Sequence, residues 1–293
     1  ITKDKDHRKA YQPKDLDFYS DKDQSAYRPW ITVNELKKKT NFIYRGGIIV
    51  KQFKQLENGD VEIITLNKEK NVEEVFRTRK LVLAPGVLGT ARIVLRSFDK
   101  ENQTLPLLCN PYAYFPCINV SQLGKTFERN TTGFSQLSLF HDRNNQGDDI
   151  AMASLYSYKS LMLFRIIKEA PVNFRDGIAL MNYFMPAFVI MGLFHPEKQG
   201  ATKSLNLKKD TSKITGDVLE ASYHLSETEK QKVHSTNTLF KKAMTKLGAF
   251  PVKMIDPGIG SSIHYAGVLP FENEEKPFSL SPNGRLHGTK NIF

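Results

Sequence analysis

Between Phe42 and Ser97 the chain sets short apolar runs and turn residues in an order that leaves few architectures open. Phe42 to Phe53 is strand-like, Asn58-Gly59 is a hairpin turn signal, and Val61-Glu62-Ile63-Ile64-Thr65-Leu66 alternates apolar with polar in part. A third run, Val75 to Leu83, leads into Ala84-Pro85-Gly86, after which Thr90 to Ser97 reads as helix with apolar Ile93, Val94 and Leu95. The order predicts a strand meander, a tight turn and a helix start. Gly86 and Gly89 carry no side chain, so such a turn lets backbone approach a bulky ligand, and the helix N-terminus offers N–H groups to anions. Many purely structural turns share this composition.

The rest of the chain sets limits. With 293 residues, 40% apolar and 25% charged, there is material for one large domain or two smaller ones, which excludes wholesale disorder. Cys109 and Cys117 are too few for a disulfide framework and lack zinc-site spacing, so we expect a reducing, cytoplasmic setting and no metal. The formal charge of +11 favours anionic partners. Basic residues are scattered in groups such as Lys37-Lys38-Lys39, without a nucleic-acid-binding pattern beside them, so a solvated surface and no nucleic-acid partner are expected. Three Asn-x-Ser/Thr sequons, at Asn102, Asn119 and Asn130, are expected by chance in this composition. Residues 1 to 30 read as an irregular lead-in without signal-peptide order, and a start at Ile1 suggests that the true N-terminus is missing.

Gly177 to Phe194 is free of formal charge, yet Asn182 and Pro186 lie inside it. A buried helix pair or a membrane-facing patch fits it better than a span, which leaves a peripheral membrane contact through 177–194 open. Val218 to Leu225 reads as a strand, and Ser226-Glu227-Thr228-Glu229 is a capping box that starts a helix. Val233, Phe240, Met244 and Leu247 recur at helical spacing, with Gly248 placed to end it.

Near the C-terminal end, His264 stands among small residues in Pro257-Gly258-Ile259-Gly260-Ser261-Ser262-Ile263-His264-Tyr265-Ala266-Gly267-Val268. Small neighbours leave room for a planar ligand against an imidazole that titrates near neutrality and can act as general base. From these residues alone a hydrogen-bonded core histidine is the stronger reading. The other histidines, His287 included, have no supporting pattern and are taken as structural or surface residues.

Leu83-Ala84-Pro85-Gly86-Val87-Leu88-Gly89-Thr90, the segment from Ser262 to Val268, and Gly284-Arg285-Leu286-His287-Gly288-Thr289-Lys290-Asn291-Ile292-Phe293, in that order, resemble the glucose-methanol-choline family of FAD-dependent oxidoreductases, especially its bacterial polysaccharide-biosynthesis members. The resemblance spans roughly residues 40 to 293 in layout, with motif matches over about 40 of them. It implies an α+β or α/β fold: a partial Rossmann-like FAD-binding domain over 1–110 and 256–293, and a substrate domain with a mostly antiparallel sheet and helices over 111–255. It implies His264 as catalytic base, Val50, Ala84, Pro85, Gly86 and Thr90 on the cofactor side, FAD as cofactor, and an alcohol or sugar as substrate. For Val50, in Ile48-Ile49-Val50, ordinary strand core is the competing reading. The departures are Pro85 in place of a small residue, Val268 in place of a threonine, and the lack of any Gly-x-Gly-x-x-Gly. The chain thus looks like a fragment cut at both ends, with the family's second active-site residue expected beyond Phe293. The alternative is a non-catalytic or membrane-associated binding module on a flavoprotein scaffold that no longer holds cofactor.

Overall fold

The computed structural model describes residues 3–11, 24–100, 103–126, 134–135, 137–157, 183–198, 200 and 202–293. In chain order its elements are α1 (Pro29–Leu36), β1 (Ile48–Gln55), β2 (Val61–Asn67), β3 (Val72–Thr78), α2 (Val87–Ser97), β4 (Thr104–Pro106), β5 (Leu108–Cys109), β6 (Tyr112–Asn119), β7 (Leu137–Asp142), β8 (Ile150–Ser157), β9 (Phe188–Phe194), β10 (Lys203–Lys209), β11 (Asp217–Tyr223), α3 (Glu227–Lys246), β12 (Ala249–Pro251) and β13 (Tyr265–Ala266). The fold is mixed α+β with mostly antiparallel sheets. Two compact units share the chain: Ile1–Ile43, Pro111–Pro196 and Glu227–Ser261 form one, and Tyr44–Asn110, Glu197–Ser226 and Ser262–Phe293 form the other.

In the first unit the strand order is β12-β6-β9-β8-β7, every neighbour antiparallel. β9 is central and buried on both faces, which explains its unbroken apolar sequence. Met191 and Leu193 pack on Phe240 and Met244 of α3, while Ile190 points the other way, toward Tyr114, Met185 and Ile255. The expected buried helix pair over 177–194 is thereby corrected: 188–194 is a strand, because both of its faces find apolar cover, and 177–182 lie outside the described residues. Among the described residues no helix is long and apolar enough to cross a membrane. Helix α3 begins directly after Ser226 and ends before Gly248, whose φ of 79° closes the last turn as its sequence position predicts. Cys117, fully enclosed in this core, has its thiol pushed up to about 12 by burial, and both cysteines are free.

The second unit holds the β1-β2-β3 meander, a β11-β10-β4 sheet and the short β5–β13 ribbon. Gly59 at φ 88° makes the first hairpin turn, with the Asp60 N–H donating to Asn58 Oδ1 at 3.0 Å. Tight turns force antiparallel pairing. Hence the parallel sheet of a Rossmann-like domain is not what these strands form. Parallel pairing among the described residues is confined to Leu81 with Ile292 and Phe271 with Leu280. A bulge at Lys51 interrupts the β1–β2 register, and the Lys51 carbonyl accepts from Arg96 Nη1 of α2. That helix packs into both of the unit's cores, Ala91 and Leu95 with Leu105, Leu205 and Val268, and Ile93 and Val94 with Phe53, Val61 and Ile292.

Candidate functional site

The turn at 81–90 is built from its neighbours. Leu81 N–H donates to Asn291 O at 2.9 Å, Leu83 N–H to Phe293 O at 2.7 Å, and Phe293 N–H to Leu81 O at 2.9 Å. Ala84, Pro85 and Gly86 then emerge into solvent and α2 starts at Val87, three residues before the expected Thr90. Thr90, half-buried in the first turn, donates its N–H to Gly86 O at 2.9 Å. Among the described residues no side chain caps this helix, so the N–H groups of its first residues have no intrahelical acceptor.

Gly86 sits at φ 81° and ψ 171°, a conformation essentially reserved for glycine. A Cβ there would meet nothing within 4 Å, so the demand is on the backbone and the space beside it is open. Gly86→Ala is therefore expected to cost about 1–3 kcal/mol, read as a lower urea midpoint with an unchanged slope. Gly89 has a different reason. A Cβ there would lie 3.0 Å from Pro85 Cβ and 3.2 Å from its Cγ, so its missing side chain makes room for the proline ring rather than for a ligand.

The histidine segment joins the same unit. β13 pairs with β5, Tyr265 opposite Cys109 and Ala266 opposite Leu108. Val268 is buried with Ala91, Leu95 and Cys109, and Val87 and Tyr265 pack against that cluster. The first turn of α2 and the strand after His264 thus share one core. His264 itself is exposed, its N–H 3.4 Å from Ser262 Oγ. Ile263 before it has φ 60° and is 77% exposed, a left-handed backbone that a β-branched residue adopts only under constraint. Val50 is half-buried on β1 and packs onto the cluster of Phe53, Val61, Leu81 and Ile292, the strand-core position.

The 284–293 segment braces the meander. Asn291 Nδ2 donates to Gly59 O at 3.0 Å, and Lys290 N–H to Gln55 Oε1 at 2.6 Å. His287 is buried, its Nδ1 accepting the Lys276 N–H at 3.1 Å with Ser279 Oγ 3.0 Å away. That is a structural role, as its sequence suggests. Among the described residues no group of three or more His, Cys, Asp or Glu is placed to hold a metal ion.

Three buried polar groupings carry no sequence signal because their members lie far apart in the chain. Arg92 and Arg96 of α2 both bind Asp217 of β11. This lattice walls a pocket of about 200 Å³ that also touches Lys51, Lys209 and Gly216. Its α2 residues, Leu95 and Arg96, belong to the end of the helix opposite Gly86. Glu197, paired with Lys203, accepts the Cys109 N–H, and the Tyr223 hydroxyl donates to the Cys109 carbonyl. His195 in the first unit has its Nε2 2.9 Å from Asn237 Oδ1, and its buried Nδ1 meets no hydrogen-bond partner among the described residues.

Burial, reinforced by the Arg143 charge, lowers the His195 imidazole to about 4 from its ordinary 6.5, against the opposing pull of the Asn237 bond. The unfolded chain therefore binds a proton between pH 6.5 and 4 that the folded chain refuses. Stability from this group is complete above pH 6.5 and is lost as the pH falls toward 4, about 3 kcal/mol in all. Urea midpoints across that window should fall more steeply for the parent chain than for His195→Gln.

Compared with protein-family models and with curated proteins, the sequence matches none at a significant level.

Proposed function

We propose that this chain carries part of a flavin-dependent oxidoreductase of the glucose-methanol-choline type, acting on the CH–OH group of an alcohol or sugar, with His264 as base. The observation that carries the reading is the meeting of two motif segments on one small core: Val87, first residue of α2, and Tyr265, directly after His264, pack on the same buried Ala91, Cys109 and Val268. The left-handed Ile263 adds to it, since held backbone of this kind concentrates at functional sites. Parallel pairing of 81–83 with 291–293, followed by turn and helix, is the local pattern of a Rossmann-like edge and supports that finer assignment of the second unit.

The residues present fit one side of FAD. Open space at Gly86, solvent-facing Ala84 and Pro85, and uncapped N–H groups of α2 suit a large planar and partly anionic group. Thr90 lies one turn further along, and Val50, in the strand core, is the weakest of the contacts implied. No Gly-x-Gly-x-x-Gly occurs in the sequence, so the phosphate cradle of dinucleotide-binding folds is not among these residues. When bound, FAD supplies a two-electron acceptor for the hydride leaving the alcohol carbon. His264 takes the hydroxyl proton on an imidazole nitrogen, and the substrate becomes a carbonyl compound. The imidazole is exposed, so a substrate hydroxyl can reach it.

The test is a titration of the chain with FAD, followed by visible absorption and by quenching of flavin fluorescence. Saturable binding that Gly86→Ala weakens is the expected result. Unchanged free-flavin spectra at all concentrations, in a chain shown to be folded, would sink the reading.

A further inference from the structure

We propose that Glu197, Lys203 and Tyr223 are positioning residues for His264, an inference that rests on the reading of His264 as the base. Lys203 Nζ lies 3.0 Å from Glu197 Oε1, with the two side chains only 1% and 4% exposed. It also donates to Lys198 O at 3.2 Å. Glu197 Oε2 accepts the Cys109 N–H at 2.5 Å, and the Tyr223 hydroxyl stands 2.5 Å from Cys109 O and within bonding reach of Glu197 Oε1. Both backbone polar groups of Cys109, in the two peptide units that flank its Cα, are thus gripped, the N–H by Glu197 of a buried ion pair and the carbonyl by the Tyr223 phenol.

Cys109 in turn pairs with the residue that follows the histidine. β5 and β13 are two residues each, too short to stand as a ribbon unaided, and Cys109 is paired with Tyr265, the neighbour of His264. Ser262 ties the other side, its Oγ 3.5 Å from Cys109 Sγ and 3.4 Å from the His264 N–H. Between these two anchors Ile263 is kept left-handed, a conformation that persists only where the surroundings over-determine it. A buried ion pair is weak evidence for a stability role, since apolar residues of similar volume often serve as well. Fixing the direction of a strand that carries a base is a role for which its directional bonds are suited.

Tyr223→Phe removes one hydroxyl, and Glu197→Gln removes one charge at nearly constant shape. The experiment records the His264 imidazole resonances, assigned by their loss in His264→Gln, together with amide exchange, in the parent chain and both variants. The expected result is a moved or broadened His264 signal and about tenfold faster exchange in β5 and β13, with exchange in the β1–β3 meander unchanged. Unaltered His264 signals in both variants would overturn the proposal. So would an equal acceleration of all amides in the unit, which marks the network as a general support. A separate arm adds FAD and an alcohol. If the variants move His264 but His264→Gln binds flavin and allows its reduction as the parent does, positioning is upheld and the oxidoreductase reading fails.

Discussion

Replacing Asp217 by alanine is expected to destabilise the second unit by about 3–5 kcal/mol, the largest single-residue loss we anticipate outside the apolar cores. Its carboxylate, 8% exposed, accepts from Arg92 Nε and Arg96 Nε at 2.6 Å and from Arg96 Nη2 at 2.7 Å. Removing it leaves two guanidinium groups facing each other, that of Arg96 with little water to turn to. The loss should resist salt, because buried pairs are poorly screened. Lys208 and Glu220 provide the contrast, a 2.6 Å pair whose side chains are 56% and 45% exposed. Glu220→Gln should change stability by less than about 1 kcal/mol, and that only at low salt. Urea unfolding of the two variants at low and high ionic strength checks both statements. A loss at Asp217→Ala no greater than at Glu220→Gln would mean that the arginines find water or other acceptors.

Under the proposed oxidoreductase function, His264→Asn is expected to slow reduction of added flavin by an alcohol on the order of 10² to 10⁴-fold, with flavin affinity changed little. The split follows from geometry. The imidazole is exposed, and asparagine keeps a polar side chain there, so α2, the turn at Gly86 and the β5–β13 ribbon should persist in the variant. Stopped-flow traces of flavin bleaching after mixing with excess alcohol provide the rate, and the titration described above provides the affinity. Equal rates in parent and variant would assign proton removal to another group.

Local chemistry was readable from sequence where one segment decides its own shape. The Ser226-x-x-Glu229 pattern placed the start of α3, and Asn58-Gly59 placed the first hairpin, because signals of this kind depend on residues within four positions. Residues 188–194 misled because periodicity separates strand from helix only when one face is polar, and β9 has no polar face. The expected 111–255 segment is continuous, whereas 197–226 belongs with the meander unit, since β10 pairs with β4. Asp217 and the arginines of α2 are more than a hundred positions apart, and a charge pair at that separation leaves no pattern in either segment. For the candidate site, the turn and the histidine could be singled out in sequence. The grip of Glu197 and Tyr223 on Cys109 could not, because it brings two strands and the segment after β9 together from separations of 88 and 114 positions.

The pairing of Leu81 and Leu83 with Asn291 and Phe293 also has a temporal meaning. Ile292, wholly enclosed, and Leu286 complete the core that the meander and α2 begin, yet they are translated about two hundred residues later. At ribosomal speeds of roughly 5–20 residues per second, the apolar side of the hairpins waits on the order of 10–40 s for its last partners. Closure over so long a loop comes late and slowly. Nascent chains of this protein therefore expose an unfinished core until residues 286–293 leave the ribosome, an interval in which exposed apolar surface favours aggregation.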